Sequence, residues 1–118
     1  MEYTSFITIE DGDDLIVSFA IPVDEYGDVK SLTLLRTPKY EHILDESERG
    51  VRVFFDEFPE VENELVRQVD IARDLLTITS NYRTYSLSLM DVDDAEIEQA
   101  KRLLKKMNFD HTFQLSIA

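Results

Sequence analysis

The sequence predicts an α+β protein: a mostly antiparallel sheet of about six to eight strands, one long C-terminal amphipathic helix over 93–107 packed on one face, and a short helix near 38–48. Three observations carry this prediction. Several short runs of β-branched and aromatic residues alternate apolar with polar side chains. One stretch near the C-terminus repeats its apolar residues at helical spacing. Three glycines and three prolines in 118 residues leave little material for long loops or linkers, so residues 1–118 are expected to form a single domain.

The helix has the fullest set of local signals. Asp93 and Glu96 stand at capping-box spacing, with Asp in place of Ser or Thr, and Val92 and Ile97 are placed to staple the entry. Ile97, Ala100, Leu103, Leu104 and Met107 then form one apolar stripe. Asp94, Glu96 and Glu98 crowd the first turns, and Lys101, Arg102, Lys105 and Lys106 the last, both suiting the helix dipole. That basic end reads as a solvated, dipole-matched terminus. Glu98 and Arg102 are spaced as an i,i+4 pair. Asn108 suits a left-handed ending, with Phe109 folding back on Leu104.

Strands are expected over 2–9, 14–21, 29–36, 51–55, 75–79, 82–89 and 112–117. Asp11-Gly12 turns the first into the second, and Pro22 ends the second. Within 82–89, Tyr85, Leu87 and Leu89 alternate with Thr84, Ser86 and Ser88, which fixes one buried face. Residues 60–73 allow two readings. Val61, Leu65, Val69, Ala72 and Leu76 fit a helix, while Leu65, Val69 and Ile71 fit a strand. The strand is favoured because the run after it needs a partner. Pro38 and the spacing of Tyr40, Ile43 and Leu44 suggest the short helix, ended by Gly50. Two compact stretches, Arg36-Thr37-Pro38-Lys39-Tyr40 and Lys106-Met107-Asn108-Phe109-Asp110, look motif-like without pointing to a family.

Charge is the most unusual property: 25 acidic residues against 12 basic ones give a formal net charge of −13. Glu10 to Asp28 holds Glu10, Asp11, Asp13, Asp14, Asp24, Glu25 and Asp28 with no base, and Glu41 to Glu64 sets nine acids against Arg49 and Arg52. Such a surface repels nucleic-acid phosphates and acidic membranes and attracts basic proteins. The candidate contact residues are therefore Asp11, Asp13, Asp14, Asp24, Glu25, Asp28, Asp45, Glu46 and Glu48. The plainer reading is that acidity keeps the chain soluble.

Catalytic chemistry is poorly supplied. The chain has no Cys, glycines at 12, 27 and 50 cannot form a phosphate loop, and the serines lack a nucleophile-elbow context. No catalytic residue, cofactor or metal is assigned. Asp11, Asp13 and Asp14 lack the glycine and later acid of a calcium loop and read as turn chemistry. His42 lies near Glu41, Asp45 and Glu46 but reads as part of a solvated acidic face, and His111 is remote in sequence. The first residues lack a signal peptide's basic and apolar regions, and no apolar run reaches spanning length, so a cytoplasmic protein is expected.

The leading functional expectation is a non-enzymatic binding module that meets a basic protein partner, as inhibitor-like, immunity-like or charge-mimicking proteins do. The second expectation is a structural or assembly protein acting as a homo-oligomer through exposed sheet edges or apolar faces; a monomer or a homodimer is expected in solution. The third is a small-ligand carrier or enzyme with a pocket between helix and sheet.

Overall fold

The computed structural model describes residues 2–24, 26–59 and 61–118. It is an α+β fold of nine strands, mostly antiparallel, and the strands divide between two sheets. The first sheet is a meander of β2 (Phe6–Asp11), β3 (Leu15–Pro22), β4 (Val29–Arg36) and β5 (Arg52–Phe55), each antiparallel to the next. The second comprises β1 (Glu2–Tyr3), β6 (Val66–Ile71), β7 (Leu75–Ser80), β8 (Thr84–Ser88) and β9 (Gln114–Ile117), in the order β1-β8-β7-β6-β9. Two of its pairs, β1–β8 and β6–β9, are parallel. The segment that fitted both helix and strand is β6. Its antiparallel partner is β7, the run that needs a neighbour.

The sheets are stitched together at two corners. At the first, the Thr4 N–H donates to the Ser88 carbonyl at 3.0 Å, and the next N–H, that of Ser5, donates to the Ala20 carbonyl at 2.7 Å. One continuous run of chain thus serves both sheets. The expected alternation over 2–9 slips there: Thr4 and Ile7 are both buried, three residues apart, while Phe6 and Ile9 face out. At the second corner Arg52 bridges Leu65, the Val53 N–H reaches the Glu64 carbonyl at 2.8 Å, and the Val66 N–H reaches the Val51 carbonyl at 2.8 Å. Strands that switch sheets at such bends wrap two sheets around one core. The inward residues of both sheets and the helix stripe form a single buried cluster.

The helix α1 (Asp94–Met107) buries the expected stripe, Ile97, Ala100, Leu103, Leu104 and Met107. It packs on β2 and β3 and touches β9. Its ends differ from the local expectation. Asp93 makes no side-chain cap, and Glu96 does not close a capping box but reaches across to accept the Ile7 N–H at 2.8 Å. A backbone donor on the rim of β2 outcompetes one at the helix start, which water can serve. Glu98 pairs with Lys101 rather than Arg102. Asn108 is not left-handed (φ −96°), and its side chain accepts the Phe113 N–H at 3.1 Å. The positive φ falls on His111 instead.

The short helix near 38–48 is two 3-10 pieces, Pro38–Ile43 and Glu46–Glu48, separated by a break at Leu44–Asp45. Neither buries a residue, so nothing rewards a longer helix there. The connection then passes Gly50, whose φ of +127° disfavours any side chain, and a Cβ built there would stand 3.2 Å from Thr112 Cγ2. Two substitutions test this division between core and strap. Leu104→Ala should lower the unfolding free energy by about 2–5 kcal/mol. Ile43→Ala, at a side chain 72% exposed, should change it by no more than about 0.5 kcal/mol in urea titrations.

Candidate functional site

The acidic residues gather according to strand register. Leu15 at the start of β3 pairs with Arg36 at the end of β4, which puts the β2–β3 turn at the same end of the sheet as the 3-10 strap. Asp11, Asp13 and Asp14 therefore share an end with Asp45, Glu46 and Glu48. Asp24 and Asp28 lie at the opposite end, in the β3–β4 turn, where Asp24 Oδ1 accepts the N–H groups of Tyr26 at 2.9 Å and Asp28 at 3.3 Å. Glu25 falls outside the described residues.

The two groups at the shared end differ in what holds them. Asp11 accepts from Lys106 Nζ at 2.6 Å, Asp13 lies 3.3 Å from Lys39 Nζ, and Asp14 accepts from the Thr37 hydroxyl at 2.6 Å. These three tie the turn to the strap and to the end of α1. Asp45, Glu46 and Glu48 make no ion pair among the described residues. Asp45 and Glu46 are exposed, and Glu48 is half-buried on the wall of a cavity of about 210 Å³. That cavity runs under the strap between the apolar side chains of Leu35, Tyr40, Ile43 and Leu44, with Arg52 on its wall.

Beneath it lies Arg36, 2% exposed. Its Nε and Nη2 donate to the two Glu41 oxygens at 2.7 and 2.9 Å, and Nη1 and Nη2 donate to the two Asp110 oxygens at 2.8 and 2.7 Å. Nη1 also donates to the Met107 carbonyl at the helix end, at 2.8 Å. All five guanidinium N–H groups are used. The Phe109 ring, which was expected to fold back on Leu104, has its centroid 4.3 Å from the guanidinium carbon. Burial opposes the charge of Arg36, but the hydrogen bonds it donates to Asp110 and Glu41 outweigh it and hold the guanidinium above its ordinary pKa. In return, Arg36 holds the Asp110 carboxyl below the usual carboxylate range. A guanidinium so completely occupied has no donor left for a ligand, and its role is to join strap, strand and helix.

A second buried charge escaped sequence reasoning. Glu64, 3% exposed, accepts from the Ser80 hydroxyl and the Tyr85 hydroxyl, each at 2.6 Å on Oε2. Arg83 Nε lies 3.8 Å from the same oxygen, and its guanidinium lies over the Phe58 ring at 3.9 Å. Burial, followed by the Glu64 hydrogen bond, pushes the Tyr85 phenol well above its usual pKa. The cluster pins the β5–β6 corner to β7 and β8. Tyr82-Arg83-Thr84-Tyr85 is visible in the sequence as an alternating strand, but nothing local separates Glu64 from the other acids.

Among the described residues no three His, Cys, Asp or Glu side chains stand together as a metal site. No helix of the structure is long and apolar enough to cross a membrane. No protein-family model matches the chain, and neither does any curated protein or solved structure.

The Arg36 centre makes two tests available. Arg36→Met leaves Glu41 and Asp110 without their partner, and because water can reach the half-exposed Asp110 the cost should be about 1–3 kcal/mol in denaturant unfolding. Because the folded state depresses the Asp110 pKa, the stability it adds is complete above the ordinary Asp value and is lost as pH falls through the lowered one. Asp110→Asn should therefore be less stable than the wild type at neutral pH, with the gap narrowing below about pH 4 in thermal melts across acid pH.

Proposed function

We propose that this chain is a non-enzymatic binding module that contacts a basic protein through the end built by the 3-10 strap and the β2–β3 turn. The observation that carries the reading is that Asp45, Glu46 and Glu48 make no ion pair among the described residues, and that Glu48 lines an open, apolar-walled cavity. The acids beside them in the fold are already spent on Lys39, Thr37 and Lys106. Carboxylates displayed at one end of the fold without a cation of their own add to the negative potential there, and a cationic surface is attracted to it. The apolar walls suit the aliphatic stem of a long basic side chain. The net charge of −13 adds long-range attraction for such a partner. Asp24 and Asp28, at the far end and engaged in their own turn, belong less to this surface.

Binding to a panel of small cationic proteins, with poly-lysine as a sequence-free control, tests the reading by stopped-flow and calorimetry. Association should be fast at low salt and slow as salt rises. Replacing the three strap acids together (Asp45→Asn, Glu46→Gln, Glu48→Gln) should cut the association rate by about tenfold and leave dissociation nearly unchanged. Cation binding that ignores both salt and this triple substitution would contradict the proposal.

A further inference from the structure

We infer that β9 is a dimerisation edge, at which a second copy of this chain pairs its own β9 antiparallel across a two-fold axis. The inference does not rest on the acidic surface. It starts from how the chain treats its other strand edges. The edge of β2 is covered by α1, and its Ile7 N–H is taken by Glu96. The edge of β5 is occupied by the Glu64–Val66 run. β1 is two residues long and bends at once into the other sheet. β9 has one neighbour, β6.

Backbone direction along β9 identifies the free groups. The Ala118 N–H donates to the Ile71 carbonyl, so alternation turns the N–H and C=O of Leu115 and Ile117 away from β6. Among the described residues no hydrogen bond reaches the Leu115 or Ile117 N–H from that outer side. An uncapped edge of this kind is a template for another strand. It also lacks the usual protection against pairing: His111 to Ala118 contains no Asp, Glu, Lys, Arg or Pro.

Charge selects the occupant. A basic partner is drawn to the carboxylates elsewhere on the surface, whereas this uncharged strip is where two copies of net charge −13 can approach at least cost. A groove of about 260 Å³ opens beside the strand, lined by Ile71, Ala72, Leu75 and Ile117 and by one acid, Asp70, whose carboxylate accepts from Gln68 Nε2 at 2.9 Å; Leu75 and Ile117 are both more than one-third exposed. It supplies apolar area that edge hydrogen bonds alone do not. Antiparallel pairing of two β9 strands is self-complementary, as a two-fold interface requires, and makes one continuous sheet from two.

Sedimentation equilibrium over a wide concentration range, with the whole chain, is the test. The wild type should shift from the monomer mass to twice that mass as concentration rises. The dimer should strengthen with added salt, because screening relieves the repulsion between two acidic copies. That sign is opposite to the one expected for a basic partner, so the two readings stand or fall separately. Ile117→Pro removes an outward N–H and should abolish the dimer while the melting temperature of the dilute protein stays close to that of the wild type. Ser116→Glu, at an exposed side chain, should weaken the dimer at least about tenfold at low salt, with recovery at high salt. A mass that stays monomeric at every concentration overturns the inference. So does a dimer that persists in both variants, since it would use another surface.

Discussion

One buried guanidinium decides where three separate pieces of chain meet. Arg36 closes β4, and by donating to Glu41, Asp110 and the Met107 carbonyl it fixes the strap and the end of α1 against that strand. Removing such a charge from water is costly unless every donor is matched and the geometry is good. Both conditions hold here, with two bidentate carboxylates and a carbonyl. Arg36 therefore adds less to net stability than to position: few other arrangements of strap and helix end would satisfy five donors on a guanidinium that is itself buried. The carboxylates proposed to meet a partner are displayed on the strap that it holds. The presentation of the acidic end thus depends on a cation whose donors are all used within the chain.

The rest of the architecture is a solution to strand edges. Nine strands in two open sheets would present four edges, and three of them are closed by different means. A continuous chain crosses between sheets at Thr4–Ser5, a bridge at Arg52–Leu65 joins the other side, and α1 lies along β2 with Glu96 on a backbone donor. Glu64 with Ser80 and Tyr85 holds the second of these corners from inside. β9 is the edge left over, and of the four edge strands it is the one without a charged residue. In a chain so acidic, that neutrality marks a surface distinct from the rest.

How much of this was legible in the sequence follows from the range of each interaction. The helix stripe and the alternation of Tyr85, Leu87 and Leu89 are set by neighbours a few residues away, and they appear as periods in the sequence. The division into two sheets was not legible. It depends on a slip in alternation at Thr4 and on the pairing of Arg52 with Leu65, neither of which has a local signature. Glu96 shows the same limit from the other side. Its spacing from Asp93 fits a capping box, yet the Ile7 N–H, far away in sequence, takes its carboxylate. The two motif-like stretches at Arg36–Tyr40 and Lys106–Asp110 prove to be the pieces that meet around Arg36. Sequence marked both as unusual but could not show that they touch. Of the acidic candidates, register brings six to one end and leaves Asp24 and Asp28 at the other, a grouping that strand order alone decides.

Native-state hydrogen exchange on Arg36→Met, compared with the wild type, tests most directly whether Arg36 positions the strap and the helix end. The account predicts that the amides of 38–50 and 107–113 lose protection far more than those of β7 and β8, whose packing does not involve the guanidinium. Equal loss across all strands, or unchanged protection in the strap, would contradict it.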